Sequence, residues 1–514
     1  MILINPPLVK PSEPPAGLPK LAGALEAHGI TCTLLDANLE GILYLLDNPA
    51  ITDNDTWTRR AVRNITRNLS ILKSGQGYGN TDRYRRAIGD LNRVLDRAGR
   101  PGGISLTLSD YADERLSPLR SRDLIAAAEN PEGNIFFPYF SSRLDRLLES
   151  ELQHRIIGLS INFLSQALCA FSIMGFLRKH YPSLRIVVGG GLITSWMGNH
   201  DLGSLFAGLI DKAVQGPGEI PLLSLLGQSP HASAPQSLPS YQGLPTGHYL
   251  APGLILPYPA SHGCYWGRCS FCPENAEGNR YSPLSFSRVP ADLRILAARH
   301  NPVLLHLVDN ALSPALLASI SNDPPGVPWY GFARITKELA DADFCAVLRT
   351  SGCAMLKLGL ESGDQGTLDS LDKGIDLEIA SRALKALKGA GIATYVYFLF
   401  GTPAETPSAA RKTLDYIVRH SPWIDYMNLA IFNMPLNCAE AGTLDLRSFY
   451  DGDLSLYTDF IHPKGWGRRE IRLFIEKDLK MHAAVRPIIL RQPPCFTSNH
   501  APLFCINRPP ADRR

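Results

Sequence analysis

The segment SHGCYWGRCSFCP, residues 261–273, places Cys264, Cys269 and Cys272 within nine residues. A tight loop that contains glycine can turn three sulfurs toward one centre. The start of the chain, MILINPP, lacks the basic region of a secretory signal, so crowded thiols favour a metal over a disulfide. Three interpretations stay open here: an iron–sulfur cluster with one open iron, a zinc ion with His262 as fourth ligand, or no metal.

Length and composition limit what surrounds this segment. With 514 residues the chain exceeds one compact core, and at about 100–200 residues per domain it predicts two to four domains. Hydrophobic residues at 45% and charged residues at 19% are typical of a globular chain. The 51 Lys and Arg against 48 Asp and Glu give a formal charge of +3, which offers no argument for a nucleic-acid partner. No apolar run reaches the roughly 18 residues of a membrane span, so we expect a cytoplasmic protein.

Upstream of the cysteine segment, short apolar runs alternate with helical patterns, as in a parallel sheet. We predict strands at 2–4, 30–35, 156–161, 184–188 and 212–214, with helices at about 18–28 and 166–180. The Gly-rich segments 189–191 and 216–219 follow strands, where doubly wound sheets bind ligands, although tight turns alone also explain them. This pattern predicts a doubly wound domain over 1–225, a helical insertion at about 45–150 and a Ser- and Pro-rich linker at 226–254.

A second α/β series begins near Ile255. The predicted strands are 254–257, 303–308, 329–332, 355–360, 394–400 and 426–432, and the cysteine segment follows the first of them. Six strands are consistent with a (β/α)6 partial barrel, and in such folds the active site lies at the carboxyl ends of the strands. We therefore predict a catalytic domain over 255–440 and a C-terminal extension over 441–514.

Together, the cysteine segment and the two α/β series resemble the radical S-adenosylmethionine (radical SAM) superfamily, and more closely its class with an N-terminal cobalamin-binding-like domain. The resemblance covers about 1–40, 155–225 and 255–435. It implies a Rossmann-type cobalamin-binding-like domain followed by a partial TIM barrel. In the superfamily, three loop cysteines hold a [4Fe-4S] cluster, and S-adenosylmethionine bound to the fourth iron is cleaved to a 5′-deoxyadenosyl radical. The protein supplies binding and orientation while the cofactors supply the chemistry.

By this resemblance, Cys264, Cys269 and Cys272 match the cluster ligands, although their spacing is C-x4-C-x2-C where the family usually has C-x3-C-x2-C. Phe271 matches an aromatic residue near the adenine. The strand-two loop reads Val308-Asp309-Asn310 instead of Gly-Gly-Glu, and segment 400–406 looks like the strand-five GxPxET loop of this class. The resemblance implies S-adenosylmethionine contacts at Phe271, Asp309, Arg334, Glu361, Ser362, Gly401 and Pro403, with the Arg334 guanidinium suited to a carboxylate.

The N-terminal loops also resemble those of the cobalamin-binding class. The implied cobalamin contacts are Pro7, Gly17, Leu18, Ser160, Asn162, Gly189, Gly190, Gly191, Gly216, Gly218 and Glu219. The Asp-x-His-x-x-Gly motif that places a histidine on cobalt in some cobalamin proteins is absent. Many enzymes of this class bind cobalamin without that histidine or do not bind it, so cobalamin is expected and its ligation is open.

The resemblance implies a cobalamin-dependent radical SAM methyltransferase that acts on an unactivated carbon of a small molecule or peptide. The alternatives are a radical SAM cyclase, ring-contraction or rearrangement enzyme, and a metal-stabilised binding module without catalysis. An electron donor such as a flavodoxin or ferredoxin is implied, and a nucleic-acid partner is not expected. Four side chains of the tail are candidates for the barrel mouth, each with simple packing as the competing interpretation: Trp466, Phe496, His500 and Phe504.

Overall fold

The computed structural model describes residues 1–49, 51, 55–150, 156–228, 237–448 and 451–507. Two compact units divide the chain: Met1–Leu254 with Tyr450–Leu456, and Ile255–Phe449 with Tyr457–Arg514. Among the described helices, none combines the length and the apolarity that crossing a membrane requires.

The first unit is a parallel sheet with helices between its strands. Its strands are β1 (Ile2–Asn5), β2 (Thr33–Asp36), β3 (Ile104–Leu106), β4 (Tyr111–Asp113), β5 (Ile156–Ser160), β6 (Arg185–Gly189) and β7 (Lys212–Ala213). Its α-helices are α1 (Gly17–Glu26), α2 (Ala37–Asp47), α3 (Thr56–Arg63), α4 (Ile65–Lys73), α5 (Thr81–Gly99), α6 (Ser121–Glu129), α7 (Phe137–Ser150), α8 (Leu164–His180), α9 (Gly191–Met197), α10 (Leu202–Leu205) and α11 (Glu219–Leu225).

Five strands of this unit form one sheet in the order β2-β1-β5-β6-β7, with every neighbouring pair parallel. Apolar strands such as Ile2–Asn5 are buried along their whole length, which is typical of a parallel sheet covered on both faces. The order reverses between β1 and β5, so the loops after these two strands flank the crevice where doubly wound sheets bind ligands. The expected α/β fold with a Rossmann-like parallel sheet is confirmed.

Three segments extend what the sequence predicted for this unit. The predicted helical insertion also contains the antiparallel hairpin of β3 and β4. In the predicted linker, the described residues from 237 onward pack on the unit, since the Tyr249 hydroxyl donates to Asp36 at 2.7 Å and the Ser240 N–H donates to the Pro19 carbonyl at 2.8 Å. Part of the C-terminal extension also belongs here, because the Trp196 indole N–H donates to the Leu454 carbonyl at 3.1 Å.

The second unit is a larger α/β unit. Its strands are β8 (Ile255–Tyr258), β9 (Ser261–His262), β10 (Ser282–Pro283), β11 (Leu304–Leu312), β12 (Trp329–Ala333), β13 (Cys353–Glu361), β14 (Ala393–Phe400), β15 (Tyr426–Ile431), β16 (Met434–Pro435), β17 (Leu446–Arg447) and β18 (Tyr457–Phe460). Its α-helices are α12 (Pro273–Ala276), α13 (Arg288–His300), α14 (Pro314–Asn322), α15 (Ala342–Thr350), α16 (Gln365–Ser370), α17 (Leu377–Gly389), α18 (Pro407–His420), α19 (Arg468–Leu473), α20 (Arg486–Arg491) and α21 (Thr497–His500).

Six parallel strands form the main sheet of this unit, in the order β15-β14-β13-β12-β11-β8. The six strands that the sequence predicted are all present, and their carboxyl ends lie along one edge. Strand β11 differs from its prediction, because it continues past Asp309 to Leu312 with a register shift against β12 after Leu307. The buried side chains of Ala311 and Leu312 account for this extension. Whether the sheet closes as a partial barrel stays a prediction.

Candidate active site

The cysteine loop leaves the short hairpin of β9 and β10, just after β8. Gly263 has φ +71°, and a Cβ built on it would lie 2.5 Å from the Arg280 carbonyl oxygen, so only glycine fits this turn. Farther along, the Trp266 indole N–H donates to the Asp372 carbonyl at 2.9 Å, and a Cβ on Gly374 would lie 2.2 Å from the Trp266 ring. The longer first arc of the loop therefore packs against the turn after α16.

The three cysteines of this loop are free thiols, with Cys269 only 8% exposed and Cys264 and Cys272 half-buried. Burial raises the pKa of the Cys269 thiol, while the charges of Lys373 and Arg334 lower it. Burial also raises the pKa of Cys272, against backbone N–H groups that lower it. Among the described residues, no three His, Cys, Asp or Glu side chains are grouped as ligands of one metal ion.

Arg334, from the end of β12, lies against the cysteine loop. Its guanidinium carbon is 4.1 Å from the centroid of the Trp266 ring, a cation–π contact. One guanidinium nitrogen is 3.9 Å from the Cys269 sulfur, and the other donates to the Lys373 carbonyl. Arg334 therefore joins the cysteine loop to the turn at Lys373, and its contact with a bound carboxylate stays a prediction.

Glu361 ends β13 in a left-handed conformation, with φ +70°, which is uncommon for a residue other than glycine. Its carboxylate is 2.8 Å from the Lys373 ammonium, and the two side chains are 12% and 8% exposed. Gly359 leaves room for this pair, because a Cβ there would lie 2.6 Å from Glu361 Oε1 and 3.0 Å from Lys373 Nζ. The same ammonium lies 5.4 Å from the centroid of the Phe271 ring. The structure thus brings Phe271, Glu361 and the cysteine loop together through Lys373.

Asp309 binds the two residues, Ala260 and Ser261, that lead into the cysteine loop. Its carboxylate accepts the Ala260 N–H at 3.1 Å and the Ser261 hydroxyl. Burial raises its pKa to about 6, against the hydrogen bond from Ser261 that lowers it. Ser362 is buried and its hydroxyl is 3.1 Å from that of Thr413 on α18. In the structure, both predicted contact residues are engaged in holding local backbone or helix positions.

The loop after β14 contains Gly401, with φ +84°, and Pro403. The Gly401 N–H donates to Glu405 Oε2 at 2.6 Å. Glu405 has no exposed surface, and burial raises its pKa to about 7 against the hydrogen bonds it accepts. Sequence reasoning missed Glu405, Lys373 and Trp266; Glu405 lies inside the matching segment 400–406, which was the available signal.

In the first unit, the predicted cobalamin contacts meet in two groups at the carboxyl edge of the sheet. In the first group, a Cβ on Gly17 would lie 3.6 Å from the Ser160 hydroxyl oxygen, so the start of α1 lies close to the end of β5. Pro7 and Leu18 are both buried. The Lys20 ammonium pairs with Glu219 at 2.8 Å, which joins α1 to α11.

The second group surrounds the glycines after β6. The Asn162 side chain accepts the Gly191 N–H at 3.0 Å. Gly190 has φ +107°, and a Cβ there would lie 2.5 Å from the Ile161 carbonyl oxygen. The Gly216 N–H donates to the Thr194 hydroxyl at 3.0 Å, so the loop after β7 is tied to α9. The remaining predicted glycines, Gly189 and Gly218, flank these loops.

The tail residues proposed for the barrel mouth are mostly packed. Phe496 and His500 have no exposed surface and their rings are 4.6 Å apart. Trp466 is buried, and Phe504 is half-buried.

Comparison with solved structures supports the fold. The cobalamin-bound radical SAM enzyme OxsB has a TM-score of 0.50 at 16% identity, over 62% of this chain and 57% of that chain. The radical SAM methyltransferase TsrM from Kitasatospora setae, with tryptophan substrate and an S-adenosylmethionine analogue bound, has a TM-score of 0.53 at 17% identity, over 99% of this chain and 89% of that chain. The same enzyme with cobalamin and a [4Fe-4S] cluster has a TM-score of 0.51. At the level of the fold, the resemblance to cobalamin-class radical SAM enzymes is confirmed.

Sequence comparison finds two curated relatives at 26% identity. One is an uncharacterized methyltransferase of Pyrococcus horikoshii, matched over 202 residues, 38% of this chain and 43% of the relative. The other is the anaerobic magnesium-protoporphyrin IX monomethyl ester cyclase of Rubrivivax gelatinosus, matched over 161 residues, 30% of this chain and 28% of the relative. The chain thus matches less than half the length of either relative. No family model matches it.

Proposed function

We propose that this chain is a radical SAM enzyme, with a [4Fe-4S] cluster on Cys264, Cys269 and Cys272, that transfers a methyl group from cobalamin to an unactivated carbon of a small molecule or peptide. The observation that carries the proposal is the cysteine loop itself: three free thiols beside the buried cations Arg334 and Lys373, at the carboxyl end of a parallel sheet. When bound, S-adenosylmethionine and the cluster supply an adenosyl radical, and cobalamin supplies the methyl group.

The donor set suits a cluster. In a [4Fe-4S] cluster each thiolate binds a different iron, so the three sulfurs need not meet at one point as they would around a single zinc ion. Burial raises the pKa of the Cys269 thiol, and the positive charges of Lys373 and Arg334 oppose that rise in the direction of the thiolate that binds iron. These cations also offset the negative charge that three thiolates bring into a partly buried loop.

The Glu361–Lys373 pair suits S-adenosylmethionine, whose methionine end carries an ammonium and a carboxylate. A carboxylate on this chain attracts the ammonium and a lysine attracts the carboxylate. Lys373 is placed between Glu361 and Phe271, whereas the Arg334 guanidinium is engaged by Trp266 and a backbone carbonyl. We therefore assign the carboxylate contact to Lys373, with Arg334 holding the turn that presents it.

For cobalamin, the support is the carboxyl edge of the first sheet. Its candidate residues flank the crevice between β1 and β5 and the glycine loops after β6 and β7, where a large ligand can approach backbone closely. TsrM and OxsB, which share this fold, bind cobalamin. The remaining parts of the proposal are a partial-barrel closure of the second sheet, a small-molecule substrate such as the tryptophan of TsrM, and a flavodoxin or ferredoxin as electron donor.

The test is anaerobic reconstitution of the full chain with iron, sulfide and cobalamin, followed by addition of S-adenosylmethionine and a chemical reductant. We expect about four irons per chain, bound corrinoid and release of 5′-deoxyadenosine. Deoxyadenosine without bound corrinoid removes methyl transfer and leaves the cyclase or rearrangement alternative, which the Rubrivivax relative favours. A colourless zinc protein that does not cleave S-adenosylmethionine contradicts the whole proposal and supports a binding module.

A further inference from the structure

A segment of the C-terminal extension, residues 462–474, packs directly on the loop after β14. We call residues 462–474 the strap and residues 401–405 the strand-five loop. The His462 Nε2–H donates to the Thr402 carbonyl at 2.9 Å, and His462 Nδ1 accepts the Lys464 N–H at 3.1 Å. This tautomer requires a neutral imidazole, and burial lowers the pKa of His462 accordingly.

Trp466 supplies the second hydrogen bond between strap and loop. Its indole N–H donates to Glu405 Oε2 at 2.9 Å, and the same oxygen accepts the Gly401 N–H at 2.6 Å. In the described part of the chain, the other carboxyl oxygen, Oε1, is buried and has no hydrogen-bond partner. The polar contacts of this fully buried side chain therefore come from two donors, one in the loop and one in the strap.

Apolar contacts also join the strap to the strand-five loop. Ile471 Cδ1 would lie 2.4 Å from a Cβ on Gly401, so the strap occupies the space beside that glycine. The Phe474 ring lies 5.8 Å from the Trp466 ring and 6.0 Å from that of Phe400, the last residue of β14. The strap thus covers the end of the strand as well as the loop that follows it.

We infer that the strap is part of the S-adenosylmethionine site: Trp466 and His462 are positioning residues that hold the strand-five loop, through Glu405 and Thr402, in the conformation that binds S-adenosylmethionine. The inference rests on the proposed function and assigns a role to an extension whose function the sequence left open. Trp466 acts here through its hydrogen bond to Glu405, instead of by contacting substrate at the barrel mouth.

Substitutions at position 405 can separate two roles of Glu405: accepting hydrogen bonds that position the strand-five loop, and simply filling space. Gln is close in shape to a neutral Glu and can accept both N–H groups through its amide oxygen, whereas Leu has similar volume and no acceptor. Trp466→Phe removes one donor and keeps an aromatic ring against Phe474. Trp329→Phe is the matched control, because the Trp329 indole N–H makes one hydrogen bond, to the Ser351 carbonyl at 3.1 Å, in the same unit and away from the loop.

The experiment uses the reconstituted full chain and measures the S-adenosylmethionine Kd by calorimetry, and the change that S-adenosylmethionine causes in the electron paramagnetic resonance spectrum of the reduced cluster. We expect Kd to rise about fivefold in W466F and about tenfold in E405L, and to stay within about twofold of wild type in E405Q and W329F. Iron content is expected to match wild type in each variant.

Unchanged Kd in W466F and E405L, with normal binding by wild type, overturns the inference alone. Equal weakening in W466F and W329F also overturns it, because both then report general loss of packing. If E405L does not fold, the comparison of W466F with W329F decides. A wild-type chain that takes up a cluster and does not bind S-adenosylmethionine overturns the proposed function and the inference with it.

Discussion

The carboxyl edges of the two parallel sheets, the two candidate cofactor sites of this molecule, differ in the residues that form their loops. At the first sheet, the candidate loops are rich in glycine, with Gly190 at φ +107° and the Gly191 N–H bonded to the Asn162 side chain, and their one ion pair described above, Lys20–Glu219, is partly exposed. At the second sheet, the loops carry buried charge, with Arg334 against Cys269 and Lys373 paired with Glu361. The difference teaches what each proposed site relies on: small residues that leave room for a large ligand at the first edge, and buried charge that suits a small charged ligand at the second.

If this contrast is right, the substitution with the largest effect on activity is that of a cysteine proposed to bind the cluster. Cys269→Ala removes a proposed ligand, and we expect loss of the cluster and a fall in S-adenosylmethionine cleavage beyond the about 10–100-fold typical of an outer contact. Corrinoid uptake at the first edge is expected to persist. Iron analysis and absorbance spectra measure both. Cys345→Ala, at another buried free thiol, is the control, and full iron content in C269A would refute the ligand assignment.

The second effect tests charge at the second edge directly. Lys373→Met leaves the Glu361 carboxylate, 12% exposed, without its 2.8 Å partner. Removing one member of a buried pair costs about 3 kcal/mol, so the free energy of unfolding of this unit should fall by that order. The double variant K373M/E361Q should recover most of it, because no uncompensated charge remains. Denaturant titration of wild type and the two variants measures this, and equal losses in the single and double variants would contradict the pairing.

The same contrast explains which parts could be predicted from sequence. Strands such as Ile156–Ser160 and Cys353–Glu361 are mostly apolar, so their positions follow closely from local pattern. The cysteine spacing likewise carries its chemistry within nine residues. Hairpin β3–β4 was missed because each strand has three residues, too few to show a period.

The side-chain contacts at the second edge could not be predicted from local sequence pattern. Trp466 and Glu405 are 61 positions apart in the chain, and Arg334 and Cys269 are 65 apart. No local periodicity links such pairs, because tertiary packing of separate loops and segments brings them together. Close backbone approach at the first edge was easier to predict, since the run 189–191 signals it in the sequence and Gly190 shows it in the structure, whereas cobalamin binding there stays a prediction.

A third effect concerns pH. Burial raises the pKa of Glu405 to about 7, above its ordinary value of 4.5. Between these values the folded chain keeps a proton that the unfolded chain has lost. Its stabilising contribution is therefore complete below about pH 4.5 and is lost as pH rises through 7, on the order of 3 kcal/mol in all.

The measurement is the difference in Tm between wild type and Glu405→Gln at pH 5 and pH 8. Wild type should lose stability relative to E405Q as pH rises, because Gln does not titrate. Asp309, whose pKa is raised to about 6 by burial, titrates in the same direction in both proteins and cancels in the difference. A Tm difference that is constant with pH would show that Glu405 titrates at its ordinary value in the folded chain.

We expect the smallest effect for a substitution at the first edge, where a glycine leaves space beside the backbone. Gly190→Ala adds a Cβ that would lie 2.5 Å from the Ile161 carbonyl oxygen, in a conformation, φ +107°, that alanine rarely adopts. We expect corrinoid binding to weaken about tenfold, since the loop must shift by a small amount, while cluster content stays at the wild-type level. Gly208→Ala is the matched control, because Gly208 also has positive φ, +83°, and nothing lies within 4 Å of the added Cβ. Corrinoid titration followed by absorbance compares the two. Equal weakening in both variants would assign the loss to backbone strain in the unit, and a loss of iron in G190A would mean that the two edges do not act as separate sites.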